Sequence, residues 1–158
     1  MSEVELNSIV SLNSVLKIPE KRKLVVKDAV ELLENEVKSK SGLSGAFLRT
    51  GYGVVKAFRP NYVEHVMEST IDSFAEAIEP FHATYREKPE SDSFEPVLMA
   101  NKKEAAGRML AIADKRAEHM ESSSILKIYQ KLRPTAEQYV IDALPGLAKL
   151  IDKHTIHN

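Results

Sequence analysis

The chain has no cysteine among its 158 residues, and its basic and acidic side chains nearly cancel. Without cysteine there are no disulfides, thiol nucleophiles or thiolate metal sites, which is compatible with the reducing cytoplasm. Lys and Arg number 22 against 23 Asp and Glu, so the net charge is -1 and no overall field attracts nucleic acid or an anionic membrane. We therefore expect neither nucleic-acid binding nor membrane binding.

Long apolar runs are also missing, since no stretch reaches the roughly 18 residues of a membrane-spanning helix. Two glutamates stand near the start, where a secretory signal would be basic. With 43% hydrophobic residues, the chain is long enough to bury a sizeable core. We expect a soluble cytoplasmic protein with a single domain over residues 1–158.

The apolar residues recur at helical spacing, and no long stretch alternates with the period of a strand. The sequence predicts an all-α fold, a compact bundle of about five to seven helices. Asn61 with Glu64, and Asn101 with Glu104, match capping boxes. An arm or short helix is expected over 1–18, followed by a helix from Pro19 and by helices over 42–59, 61–82 and 102–121. A polar linker with one helical turn is expected over 83–100, a capping loop at Ser122 and a frayed tail over 154–158. Pro134 should end a helix, and Pro145 should either kink the last helix or divide it in two.

The segment from Gly42 to Pro60 is apolar over about half of its helix circumference, wider than the stripe of a surface helix. Its inner glycines each cost roughly 0.5–1 kcal/mol against alanine, which suggests close approach of neighbouring helices or of a ligand. We expect this helix to be central, with the 61–82 and 102–121 helices against it. A ligand cavity beside it would be lined by Phe47, Gly51, Val54, Phe58 and Phe74.

Charges are segregated into two clusters that are candidates for partner binding. A basic cluster opens the helix after Pro19, against the helix dipole, and meets either an acidic partner, within the fold or on another molecule, or only solvent. An acidic stripe follows on the 61–82 helix and is either a solvated face or a docking surface for a basic partner. The basic cluster consists of Lys21, Arg22, Lys23 and Lys27, and the acidic stripe of Glu64, Glu68, Asp72, Glu76 and Glu79.

Catalytic and cofactor motifs are not apparent. Gly51-Tyr52-Gly53 is only half of a dinucleotide fingerprint, and no phosphate loop occurs. Glu79 and His82 form one E-x-x-H motif, whereas a carboxylate-bridged metal pair needs two such motifs. His82 is better interpreted as a partly buried core histidine bonded to a backbone carbonyl. We expect no cofactor and no metal, and the pattern favours a protein that is not an enzyme.

Four segments carry a resemblance to a known family: GYGVVKAFRP at 51–60, DKRAEH at 114–119, IYQKLRP at 128–134 and LPGLAKLIDKH at 144–154. Through them the chain resembles a family of small all-helical bacterial proteins with no assigned function, over residues 20–154. The resemblance implies a compact helical domain and transfers no site residue.

Two functions remain open. The segregated charges favour a non-enzymatic interaction module, self-associating as a homo-oligomer or binding a protein partner. The alternative is a binder of a small hydrophobic ligand in an apolar cavity between helices. An enclosed pocket would favour the binder, and a solid core with an apolar outer patch would favour assembly.

Overall fold

The computed structural model describes residues 9–89 and 91–156, and that part of the chain forms seven helices. Residues 1–8 of the predicted arm and residues 157–158 of the predicted tail lie outside the described part. The all-helical fold and the predicted number of helices are confirmed. The helices are α1 (Leu12–Leu16), α2 (Pro19–Ser39), α3 (Gly42–Phe58), α4 (Tyr62–Glu87), α5 (Glu95–Ala100), α6 (Lys102–Ala117) and α7 (Ser123–Thr155).

Four long helices form a closed ring in the order α2, α4, α6, α7, with α7 returning to α2. Two of these neighbours, α2 and α7, run antiparallel. Lys40 near the end of α2 bonds Asp142, whereas Asp28 further back bonds Lys153 near the end of α7. The ring helices therefore enclose one interior that extends along their length.

One end of this interior is a dense core. The short helices α1 and α5 pack against the ring there, and Phe94, Leu98 and Leu144 have no exposed surface. Ile9 pairs with Ile156 in an isolated bridge, which ties the start of the described chain to the end of α7. The opposite end of the ring is covered by α3, which contacts α2, α4 and α7.

Helix starts follow the sequence in part. Pro19 opens α2, and the Ser122 side chain accepts a hydrogen bond from the Ile125 backbone N–H at 3.2 Å, as a capping residue should. Both predicted capping boxes are wrong. Asn61 takes a left-handed conformation with φ 57°, and the Asn101 side chain donates back to the Val97 carbonyl instead of accepting from its own helix.

The expectation of a central glycine helix is wrong. Only Gly45 and Gly51 of α3 are buried, and no α3 residue belongs to the main core cluster. Leu43 is 93% exposed. The broad apolar surface of α3 divides between an inner face toward the ring and an outer face toward solvent. α6, predicted to lie against α3, packs chiefly on α4 and α7.

Several predicted breaks are continuous helix. α4 runs through Pro80 to Glu87, into the predicted linker, and α7 passes through Pro134 and Pro145 without ending. The predicted fraying of the tail does not hold for its first residues, because His154 and Thr155 belong to α7 and Thr155 is fully buried. Contacts with neighbouring helices outweigh the local cost of a proline in these long helices.

Candidate functional site

An apolar cavity of about 490 Å³, partly open to solvent, extends from beneath α3 into the interior of the ring. All four ring helices and α3 contribute to its wall, and α1 contributes Leu12 and Leu16. From α3 come Leu48, Tyr52 and Val55, which share one helix face because they are spaced by four and three residues. Other wall residues include Leu32, Val37, Val66, Phe74, Met109, Ile112, Ile125, Val140, Ala143 and Leu147.

Polar groups in the wall of the apolar cavity are few. The Tyr139 hydroxyl is buried and has no hydrogen-bond partner among the described residues. Lys40 Nζ lies 3.0 Å from Asp142 Oδ2 and 3.5 Å from Glu36 Oε2. Burial opposes the charge on Lys40, but the bonds to these carboxylates prevail and raise its pKa. At this end of the cavity, the positive charge of Lys40 is therefore matched by the carboxylates of Asp142 and Glu36.

Helix α3 is held over the cavity by polar bonds at its sides. Glu34 of α2 accepts a hydrogen bond from the Tyr52 hydroxyl at 3.3 Å and forms an ion pair with Lys56 at 3.4 Å. Burial, followed by the nearby Glu34 carboxylate, raises the pKa of Tyr52. The backbone is left-handed at Gly42, where α3 begins, with φ 76°. It is left-handed again at Asn61, shortly after α3 ends. Only two residues of α3, Gly45 and Gly51, are buried, so this helix contributes little buried side-chain surface of its own.

The ligand residues predicted from the sequence are only partly brought together. Phe74 lines the apolar cavity. Val54 and Phe58 are 46% and 38% exposed on the outer face of α3, and the Phe47 ring lies 5.7 Å from Lys131 Nζ. Gly51 faces Ile128 of α7. The inner residues of α3 were missed, because its apolar residues cover too much of the helix circumference to show which face turns inward.

A second, more polar depression of about 810 Å³ lies between α4 and α6 and is here called the basic groove. Four basic side chains line it, against two glutamates. It shares Tyr62, Thr70, Ile112, Arg116 and Met120 with the apolar cavity, so the two spaces meet at one common wall. The charged side chains of the groove are Arg59, Arg108, Lys115, Arg116, Glu76 and Glu121.

The two predicted charge clusters meet within the fold at Arg22. Its guanidinium bonds Glu68 Oε1 at 2.5 Å and Asp72 Oδ1 at 2.8 Å. The other predicted partner-binding residues are placed separately. Lys23, Lys27, Glu64 and Glu76 are exposed and Lys21 is half-buried, whereas Glu79 pairs with Arg86 on its own helix.

His82 is fully buried, whereas the sequence predicted partial burial, and its partner is not a backbone carbonyl. Its Nδ1 contacts the Arg86 guanidinium, and its ring lies edge-on to Phe94 at 4.9 Å. No partner of Nε2 is found in the described chain. Burial and the nearby Arg86 charge lower the pKa of His82 to about 4, so the imidazole is neutral at pH 7.

Two further features are absent from residues 9–89 and 91–156. No three His, Asp or Glu side chains there converge into a group that could hold a metal ion. None of the helices in that part of the chain is both long and apolar enough to cross a membrane.

Residues 12–155 match the model of a family of unknown function, DUF6918, and the chain belongs to this family. The match covers every helix described above. No curated protein and no solved structure matches the chain.

Proposed function

We propose that this protein binds a small hydrophobic molecule in the apolar cavity. The observation that supports this proposal is an apolar space of about 490 Å³ within the helical ring, inside the range of about 300–1,000 Å³ typical of ligand pockets. Its wall draws on six of the seven helices described, including α3, and is almost wholly aliphatic or aromatic. Such a wall suits an apolar ligand.

The chemistry of the wall favours an apolar occupant over water. A water molecule needs two to four polar partners, and this wall offers few. Because the cavity is partly open to solvent, a bound apolar molecule would remove apolar wall surface from water, which is favourable.

The volume also suits a small ligand. At roughly 30 Å³ for each water molecule, the cavity corresponds to about 16 waters. A medium-length alkyl chain or a compact ring system is of comparable size. We further propose a cytoplasmic location and a role without catalysis, which rest on the cysteine-free composition and the missing catalytic motifs.

Binding is tested by titrating decanol into the purified protein and measuring heat or fluorescence of a displaced apolar dye. Ala143→Leu adds bulk to the cavity wall and should weaken decanol binding about tenfold or more while the protein stays folded. Ala113→Leu, on the neighbouring helix α6, should act in the same way. Native mass spectrometry would also detect an organic molecule that co-purifies.

The matched control is Ala46→Leu, an exposed position on α3 outside the cavity wall. It should leave decanol affinity within about twofold, since exposed alanine and leucine differ little in a helix. If decanol does not bind the native protein, or if the Ala143→Leu and Ala46→Leu variants bind it equally, the proposal that a ligand occupies this cavity is wrong.

Self-association, the other role proposed from the sequence, is favoured by a different observation. Leu43, Val54 and Phe58 are exposed along one face of α3. A second copy of this chain could bury these side chains at an isologous interface. Sedimentation of the native protein and of Val54→Glu tests this: a dimer that Val54→Glu dissociates supports it, and a native monomer at high concentration contradicts it.

A further inference from the structure

The wall shared by the apolar cavity and the basic groove contains one cation, Arg116 of α6. Its Nη1 donates to the Ser69 hydroxyl at 3.0 Å, and no carboxylate forms an ion pair with it within the described part of the chain. Two other basic side chains of the groove are already paired, Arg59 with Glu121 and Arg108 with Glu104. Arg116 therefore has donors to offer at the point where apolar and basic surfaces meet.

The other polar end of the cavity has the opposite character. Lys40 there is matched by two carboxylates, Glu36 and Asp142, so an added anion would meet net negative charge. An anionic group is consequently favoured at Arg116 and disfavoured at Lys40. This difference gives a bound amphiphile a single orientation, with its tail beneath α3 and its head in the basic groove.

We propose that the natural ligand is an amphiphile with an alkyl tail and an anionic head group, a carboxylate or a phosphate, and that Arg116 binds the head. This inference rests on the proposed function and adds the chemical class of the ligand. The planar guanidinium donates two parallel hydrogen bonds to either anion, and Lys115 adds charge on the same groove wall. The groove volume of about 810 Å³ accommodates either head group.

Equal-tail probes separate this proposal from simple apolar binding. Decanoate, decyl phosphate and decanol carry the same tail, and only the first two carry a charge at neutral pH. An apolar cavity without a cation would bind decanol most tightly, because an unpaired anion loses hydration on burial. With Arg116 bound to the head, at least one anion should bind about tenfold more tightly than decanol, the effect of a charge-assisted hydrogen bond.

Calorimetric titration of each probe into the native protein and three variants tests the assignment. Arg116→Gln should weaken anion binding about tenfold and leave decanol within about twofold, and Arg116→Lys should retain part of the preference. Lys103→Gln is the matched control, since it removes one positive charge from α6 at an exposed position outside both spaces. This variant should change the affinity for the anions and for decanol by no more than about twofold. The preference for anions should also fall as salt rises.

The outcomes distinguish the two proposals. If decanol binds the native protein as tightly as both anions, the assigned head-group site is wrong while apolar binding stands. The assignment is also overturned if Arg116→Gln and Lys103→Gln weaken the anions equally, because that is a general charge effect. If none of the three probes binds, the proposed function is overturned and this inference with it.

Discussion

Arg22 Nη1 of α2 donates to Asp72 Oδ1 of α4 at 2.8 Å, which joins the basic and acidic clusters of the sequence inside one chain. The same guanidinium donates to the Glu68 backbone carbonyl at 2.9 Å through Nη2. The bond to Arg22 is the main cause that lowers the pKa of Asp72. At this point the basic cluster has its acidic partner within the fold.

A double-mutant cycle measures this contact. Because the Asp72 side chain is 59% exposed, we expect Arg22→Ala and Asp72→Ala to couple by only about 0.5–1 kcal/mol in urea unfolding. The coupling should shrink in high salt. Lys23→Ala paired with Asp72→Ala is the control, since Lys23 is exposed and makes no ion pair in the part of the chain described. Equal coupling in both cycles would show a general charge effect instead of this contact.

Two glycines of α3 should respond in opposite ways to alanine. A Cβ on Gly45 would lie 2.7 Å from the Lys40 backbone carbon, which cannot move aside, so Gly45→Ala should cost about 1–3 kcal/mol in thermal or urea unfolding. Gly53 has no such neighbour within 4 Å, and Gly53→Ala should stabilise by about 0.5–1 kcal/mol. Equal effects at the two positions would contradict this geometry.

The glycine that faces α7 is an intermediate case. A Cβ on Gly51 would approach Ile128 Cγ2 to 2.8 Å, and this atom ends a side chain that can rotate away. Gly51→Ala should therefore cost less than Gly45→Ala. Gly51→Leu should cost several kcal/mol, because its larger side chain overpacks the contact between α3 and α7. An unchanged melting temperature for Gly51→Leu would contradict close packing there.

The neutral His82 makes stability depend on pH. Its pKa is about 4 in the folded state against 6.5 when exposed, so the unfolded chain binds the extra proton first as pH falls. The free energy of unfolding should be highest above about pH 6.5 and should lose about 3 kcal/mol through this group as pH falls to about 4. Unfolding at several pH values should show a smaller loss in His82→Leu, and identical pH profiles would contradict the shift.

Removing the hydroxyl group from either of two tyrosines in α7 should affect stability differently, because only one of the two hydroxyls is hydrogen-bonded within the described part of the chain. The Tyr129 hydroxyl bonds the Asp114 carboxylate, whereas the buried Tyr139 hydroxyl has no partner among the described residues. Tyr129→Phe should cost about 1 kcal/mol, and Tyr139→Phe should be neutral or slightly stabilising. A loss of more than about 1 kcal/mol in Tyr139→Phe would indicate that its hydroxyl does have a partner. Burial, followed by the bond to Asp114, raises the pKa of Tyr129 to about 12, so this phenol remains protonated at pH 7.5 during these measurements.

Local signals in the sequence predicted local structure well. Helical spacing, Pro19 at a helix start and Ser122 as a cap depend on residues only a few positions apart, and all three are confirmed. Pro134 failed as a signal because its cost is local while the contacts that keep α7 continuous come from other helices. The capping boxes failed because neither asparagine caps its helix: Asn61 has a left-handed φ of 57°, and the Asn101 side chain bonds the Val97 carbonyl.

The candidate site was predicted only in outline. An apolar cavity between helices was one of two alternatives, and Phe74 was one of its expected wall residues. The apolar residues of α3 do not show which half of the circumference turns inward, so Val54 and Phe58 were chosen where Leu48 and Val55 face the cavity. Arg116 was not singled out, because its position between two spaces depends on α4 and α6 together.

The sequence by itself determined the helical class of the protein, the near balance of its charges and several of its helix starts, because these follow from composition and from interactions within a few residues. Only the tertiary structure decided that α3 lies over the ring at its edge, that Arg22 meets Asp72, and that an apolar cavity adjoins a basic groove at Arg116. Each of these features depends on side chains from helices that are far apart in the chain. The spacing of apolar residues within one helix does not show which other helices it will pack against.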